Sequence, residues 1–208
     1  DFANSGYTTV VITAIFNAYF VAVVAQGQDW GTLAWSLALA LSYFLVMLTA
    51  PALGAYADAY ARKKPLLLAS TIGCVLFTAG LALVSKGDLM IAIPLIILSN
   101  FFFGVGENLI AAFLPELARG EAMGKVSGWG WSIGYVGGLA ALGLCLAYVL
   151  AAQARGAPAT HYVPVTMLIT ACVYGLASLA TFALLRERAV AQEGAADGIA
   201  AALARLRQ

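Results

Sequence analysis

The chain has 208 residues, 62% of them hydrophobic and 10% charged, with a mean hydropathy of +0.90. A water-soluble fold of this size has nowhere to put so much apolar surface, so the composition points to a bilayer as the solvent. A net charge of +1 supplies no basic field for a polyanion, which excludes nucleic-acid binding.

A hydrocarbon core about 30 Å thick is crossed by about 20 mostly apolar residues in helical form. Six runs of that kind follow one another: Gly6–Gln26, Thr32–Ala57, Leu66–Ser85, Leu89–Leu114, Val126–Ala151 and Tyr162–Leu185. Each is continuously apolar rather than alternating, which favours helices over a membrane barrel. The reading is an all-α membrane protein with one bundle over 1–185 and a cytoplasmic linker over 186–208.

Charge in the connections predicts the orientation. Placing the second, fourth and sixth breaks inside puts Arg62, Lys63, Lys64, Arg119, Lys125, Arg186, Arg188, Arg205 and Arg207 in the cytoplasm. Only Lys86 and Arg155 are left outside, so nine of eleven basic residues share one side and both termini are expected there. Trp30, Trp35 and Tyr162 are read as interfacial anchors at the opposite ends of the spans.

In the first span Ser5, Thr9, Thr13 and Asn17 recur at i+4 and form a polar stripe. Such a stripe lines a hydrated cavity or bonds across a helix interface. The second and third spans are joined by GAYADAYARKK, Gly54 to Lys64. The fourth span contains SNFFFGVGENLIAAFLPEL, in which Asn100, Gly104, Glu107, Asn108 and Ala111 fall on one helical face. An ionisable side chain at a helix centre costs about 2.5–3.5 kcal/mol on insertion scales, which makes Glu107 a functional candidate; the alternative is a structural carboxyl bonded to a neighbouring helix.

The fifth span, GWGWSIGYVGGLAALGL, places Gly130, Gly134, Gly137 and Gly138 at near-helical spacing for close helix packing, with Tyr135 free to present its hydroxyl to a cavity. Cys74, Cys145 and Cys172 lie in apolar runs and read as small core residues, and His161 is a loop residue without a role. No metal site, cofactor motif or catalytic arrangement appears, so an enzyme is the weaker class. After Leu185 the pattern changes to charges and glycines, with a short amphipathic stretch from Ile199 to Arg207. The absence of an initiator methionine at Asp1 and the linker pattern at Gln208 suggest a fragment, with a second hydrophobic half expected downstream.

Gly54, Asp58, Lys63 and Lys64 match the loop signature G-x-x-x-D-[RK]-x-G-x-[RK]-[RK], with Ala59 and Ala61 departing from it. In that loop the chain resembles the major facilitator superfamily. DFANSGYTTVVITAIFNAYF, AAFLPELA and SGWGWSIGYVGG are similar to its autophagy-related vacuolar effluxer-like branch and bacterial relatives. The resemblance implies one half of a facilitator fold, made of two inverted three-helix repeats, with the substrate bound between this half and a missing C-terminal one. It implies a conformational latch at Gly54, Asp58, Arg62, Lys63 and Lys64. It further implies secondary transport of a small solute, amino acids being the best guess, in a bacterial inner membrane. Asn100 stands where many facilitators carry an arginine, and Tyr135 where an antiporter signature has proline. Asn17, Asn100, Glu107, Asn108 and Tyr135 are therefore the expected cavity residues, with Glu107 the site for a coupling proton. A non-transporting scaffold that binds partner helices is the rival reading.

Overall fold

The computed structural model describes residues 1–118 and 120–187. Most of the expected linker lies outside the described residues, as do Arg119, Arg188, Arg205, Arg207 and the stretch from Ile199. Among the described residues six helices are long and apolar enough to cross a membrane. They are α1 (Phe2–Val24), α2 (Gly31–Ala59), α3 (Lys63–Leu83), α4 (Leu89–Leu117), α5 (Ala122–Ala154) and α6 (Ala159–Leu184). Several run past the apolar stretches read from sequence: α3 takes in Lys63 and Lys64, and α5 begins before Val126. Charged residues end an apolar run but not a helix, because water satisfies the exposed backbone beyond the hydrocarbon.

The packing repeats with a twofold logic. Helix α1 lies against α5 and α6, α4 against α2 and α3, and α3 against α6. Exchanging the first three helices with the last three turns α1–α5 into α4–α2 and α1–α6 into α4–α3, and returns α3–α6 to itself. The lesser contacts α1–α2 and α2–α3 map onto α4–α5 and α5–α6, which also occur. Because three spans reverse the direction of the chain, the two units are inverted repeats of one three-helix design.

Helix α2 buries a single stripe, Trp35, Ala38, Ser42 and Val46, at i+3 and i+4 spacing. Its other faces expose Leu33, Leu37, Leu41, Phe44 and Met47, as expected where lipid is the solvent. Trp35 departs from its reading as an anchor: it is 4% exposed and packs its ring on Phe16 and Phe20, while Trp30 is 44% exposed. Cys74 and Cys145 are buried, but Cys172 lies exposed on α6 and is not a core residue.

Helix α1 is irregular. Thr8–Ala14 and Phe20–Val24 form widened turns, seen in Ile15 N–H donating to the Val10 carbonyl at 3.0 Å and Ala25 N–H to Phe20 at 2.7 Å. Thr13 Oγ1 donates five residues back, to the Thr8 carbonyl, at 3.0 Å. Turns wider than 3.6 residues rotate each later side chain off the α-helical register. The Ser5, Thr9, Thr13, Asn17 sequence therefore does not stay on one face.

Candidate functional site

Buried polar pairs set the register between helices. Tyr7 Oη of α1 bonds Ser99 Oγ of α4 at 2.9 Å, and the Tyr7 ring stacks on Phe103 with centroids 4.7 Å apart. Tyr174 Oη of α6 donates to Asn4 Oδ1 at 2.9 Å. Glycines let these helices approach: a Cβ on Gly106 would stand 3.4 Å from Ser70 Oγ and 3.8 Å from Tyr174 Oη. The result locks α1 between α4 and α6 with Asn4 beside Gly106, one residue from Glu107.

Glu107 and Asn108 are exposed on the wall of a cavity of about 430 Å3 between α1, α4 and α5. Asn4, Asp1, Ser127 and Trp131 complete its polar and aromatic lining. A second cavity of about 300 Å3 lies behind Asn4 and is lined with hydroxyls, those of Thr71, Tyr174, Ser178 and Thr181. Asn4 borders both cavities, its carbonyl oxygen held by Tyr174.

A third cavity, of about 130 Å3, lies between α2 and α4 and is lined by Gly54, Asp58, Lys63 and Asn108. Beyond Val46 and Gly104 the two helices still share an apolar cluster of Ala57, Val105, Leu109 and Phe113, and Pro51, inside α2, removes one backbone hydrogen bond beside the cavity. Asn108 thus stands between the Glu107 cavity and the loop that joins α2 to α3.

At that loop Lys63, 8% exposed, gathers three helix ends. Its Nζ lies 2.9 Å from Asp58 Oδ1 at the end of α2 and 3.0 Å from Glu116 Oε1 at the end of α4, and donates to the Ala112 carbonyl at 3.4 Å. Glu187, just past α6, accepts from the backbone N–H of Lys63 at 2.7 Å and of Lys64 at 3.2 Å. A carboxylate at this position satisfies two open donors of α3 and faces the positive end of its dipole. Lys64 Nζ donates to the Leu185 carbonyl at 2.7 Å, and Arg62 is exposed. Ala61, where the loop signature has glycine, adopts φ +51° to make the tight turn.

The expected cavity residues do not all gather. Asn100 is 0% exposed and faces α2, donating from Nδ2 to Ser42 Oγ at 3.1 Å, while its Oδ1 has no partner. This corrects its reading as a cavity residue: Asn100 packs on the Ser42 stripe of α2, whereas Glu107 faces the cavity between α1, α4 and α5. Ser5 and Thr9 meet the glycines of α5 instead of a cavity, since a Cβ on Gly134 would lie 2.9 Å from Ser5 Oγ and one on Gly138 would lie 3.2 Å from Thr9 Oγ1. Gly130 faces the Asp1 carboxylate, and Gly137 faces the backbone of Phe2. Asn17 is half-buried and thirteen residues beyond Asn4 on α1, so it stands roughly 15–20 Å along the axis from Glu107's level. Tyr135 is 67% exposed on the surface of α5, its ring 6.2 Å from that of Trp131.

Sequence reasoning missed Asn4, Tyr174, Trp131, Glu116 and Glu187. Asn4 precedes the first apolar run as it was bounded, and Glu187 follows the last. The proline-glutamate step in LPEL was the available signal for Glu116.

Comparison with known proteins agrees with this architecture. A family model described as vacuole effluxer Atg22 like matches residues 34–206. The chain is also similar to YxiO, an uncharacterized MFS-type transporter of Bacillus subtilis (strain 168), with 28% identity over 183 residues. That alignment covers 85% of this chain and 42% of the relative, so the chain spans less than half the length of the curated protein it matches. No solved structure matches it. With six membrane-length helices in two inverted triplets and a family match over most of its length, this multi-pass membrane chain belongs to the vacuole effluxer Atg22-like family.

Proposed function

We propose that this bundle is the N-terminal half of a secondary transporter that moves a small solute by alternating access. The observation that carries the reading is the polar wall of Glu107, Asn108 and Asn4 on a bundle whose other outward faces are largely apolar. A carboxylate kept at membrane depth, beside a cavity and away from the bundle's buried contacts, is an expensive feature with a ready use in solute or proton binding. The inverted repeats support rocking about a site between two halves, and the chain length against its relative leaves room for the second.

Residues 186–208 then form the connection between halves, both termini face the cytoplasm, and the membrane is a bacterial inner membrane. Asp58, Lys63 and Lys64 form the latch, holding the ends of α2, α3 and α4 together in one conformation and releasing them in the other. Asn108 links that latch to the cavity. The family resemblance makes amino acids the first solutes to try and a proton on Glu107 the coupling ion. Reconstitution of the intact protein in proteoliposomes, with labelled amino acids supplied with and without a pH gradient, tests the reading. Accumulation of one of them supports it. Correct insertion with no uptake and no counterflow would favour the scaffold.

A further inference from the structure

Among the described residues, the ionisable side chains that line the Glu107 cavity are all acidic. Two carboxyl groups, Glu107 and Asp1, share it with the neutral amides of Asn4 and Asn108, the hydroxyl of Ser127 and the indole of Trp131. No lysine or arginine is part of that lining among the described residues. Lys125 is exposed at the start of α5, and Lys63 and Lys64 are engaged at the helix ends.

These features suit a cation and not an anion. A carboxylate supplies the charge, an aromatic face attracts the same ammonium through its quadrupole, and Asn4 and Asn108 offer carbonyl oxygens to its remaining N–H groups. Tyr174 anchors the Asn4 amide through its hydrogen bond. A solute carboxylate placed here would meet like charge and find no basic partner on this wall. We infer that the cavity receives the protonated amine of a cationic solute, with Glu107 as its counter-ion, Trp131 as its aromatic wall and no carboxylate required of the solute. The inference rests on the proposed reading that this cavity is the solute path, and it narrows the solute from amino acids in general to organic amines.

The test is equilibrium binding to the purified intact protein at neutral pH, with three probes that share leucine's isobutyl group: isoamylamine as the cation, leucine as the zwitterion and 4-methylpentanoate as the anion. Isoamylamine is expected to bind tightest, and Glu107→Gln to weaken it roughly tenfold or more while leaving the anion unaffected. Trp131→Phe should keep the preference for the amine, and Trp131→Leu should weaken amine binding several-fold; thermal unfolding of each variant shows that it is folded. Anion binding as tight as that of the amine, an amine preference that survives Glu107→Gln, or binding of none of the three overturns the inference. If the amine binds through Glu107 but no solute crosses proteoliposomes, the transport reading fails and the site stands. If solutes are moved without amine preference, only the inference fails.

Discussion

Replacing Gly137 by alanine adds one methyl group at the tightest point of the α1–α5 seam. The new Cβ would fall on the carbonyl oxygen of Phe2 and 2.7 Å from Phe2 Cα. Backbone atoms cannot rotate aside, so the helices must part by roughly 0.8 Å to regain a carbon–carbon approach of about 3.5 Å. Overpacking of this kind costs about 1–3 kcal/mol, and the upper part of that range applies because the seam moves as a unit, Ser5 with Gly134 and Thr9 with Gly138. Alanine recovers about 1 kcal/mol of helix propensity, leaving a net loss of about 1–2 kcal/mol. Gly143, on the same helix, has nothing within 4 Å of its added Cβ, so Gly143→Ala should gain about 1 kcal/mol. The two variants then differ by about 2–3 kcal/mol, or roughly 4–12 °C in Tm at about 2–4 °C per kcal/mol for a domain of this size. Thermal unfolding in detergent, followed by tryptophan fluorescence, measures the difference. If Gly143→Ala melts at or below Gly137→Ala, the packing argument is refuted.

Three further perturbations probe other levels of the structure. Ala61→Gly relieves a left-handed backbone at φ +51° and should stabilise by about 0.5–1 kcal/mol, the strain of an L-residue there less glycine's entropy; a lower Tm would contradict the turn. Ser42→Ala removes the acceptor of Asn100 Nδ2 and should cost about 1–2 kcal/mol. In a double-mutant cycle with Asn100→Ala the two sites should couple by roughly 0.6 kcal/mol, and zero coupling would deny the bond. At the latch, Asp58→Asn should slow interconversion between inward-open and outward-open forms, and Lys63→Met should do more. The Lys63 ammonium serves two carboxylates, whereas the Asp58 side chain is 64% exposed and screened. Accessibility of cavity cysteines reads this, and identical accessibility in wild type and both variants would count against the latch.

The number of spans was legible because a run of about 20 apolar residues is a strong signal, and Glu107 because a carboxylate inside such a run stands out. The loop from Gly54 to Lys64 was legible down to the departure at Ala61, which the structure meets with a positive φ. The direction of Asn100 was not. On helical spacing it shares a face with Glu107, and what separates them is what each meets in the fold, Ser42 of α2 over Asn100 and the cavity toward α1 and α5 at Glu107, a tertiary fact. The first-span stripe failed for a local reason, since widened turns in α1 break the period on which it was drawn. Trp35 failed because the same residue type serves interfaces and cores alike. Glu187 was assigned with its charged neighbours to a linker, and its place on the α3 N-terminus depends on how α6 ends beside α3.

The central claim is that the Glu107 cavity is a transport site, and Glu107→Gln in the intact protein tests it most directly. Uptake driven by a pH gradient into proteoliposomes, measured over a pH series with wild type and variant inserted at equal density, should be lost or uncoupled from the gradient in Glu107→Gln. Uptake in the variant that matches wild type at every pH would contradict the account.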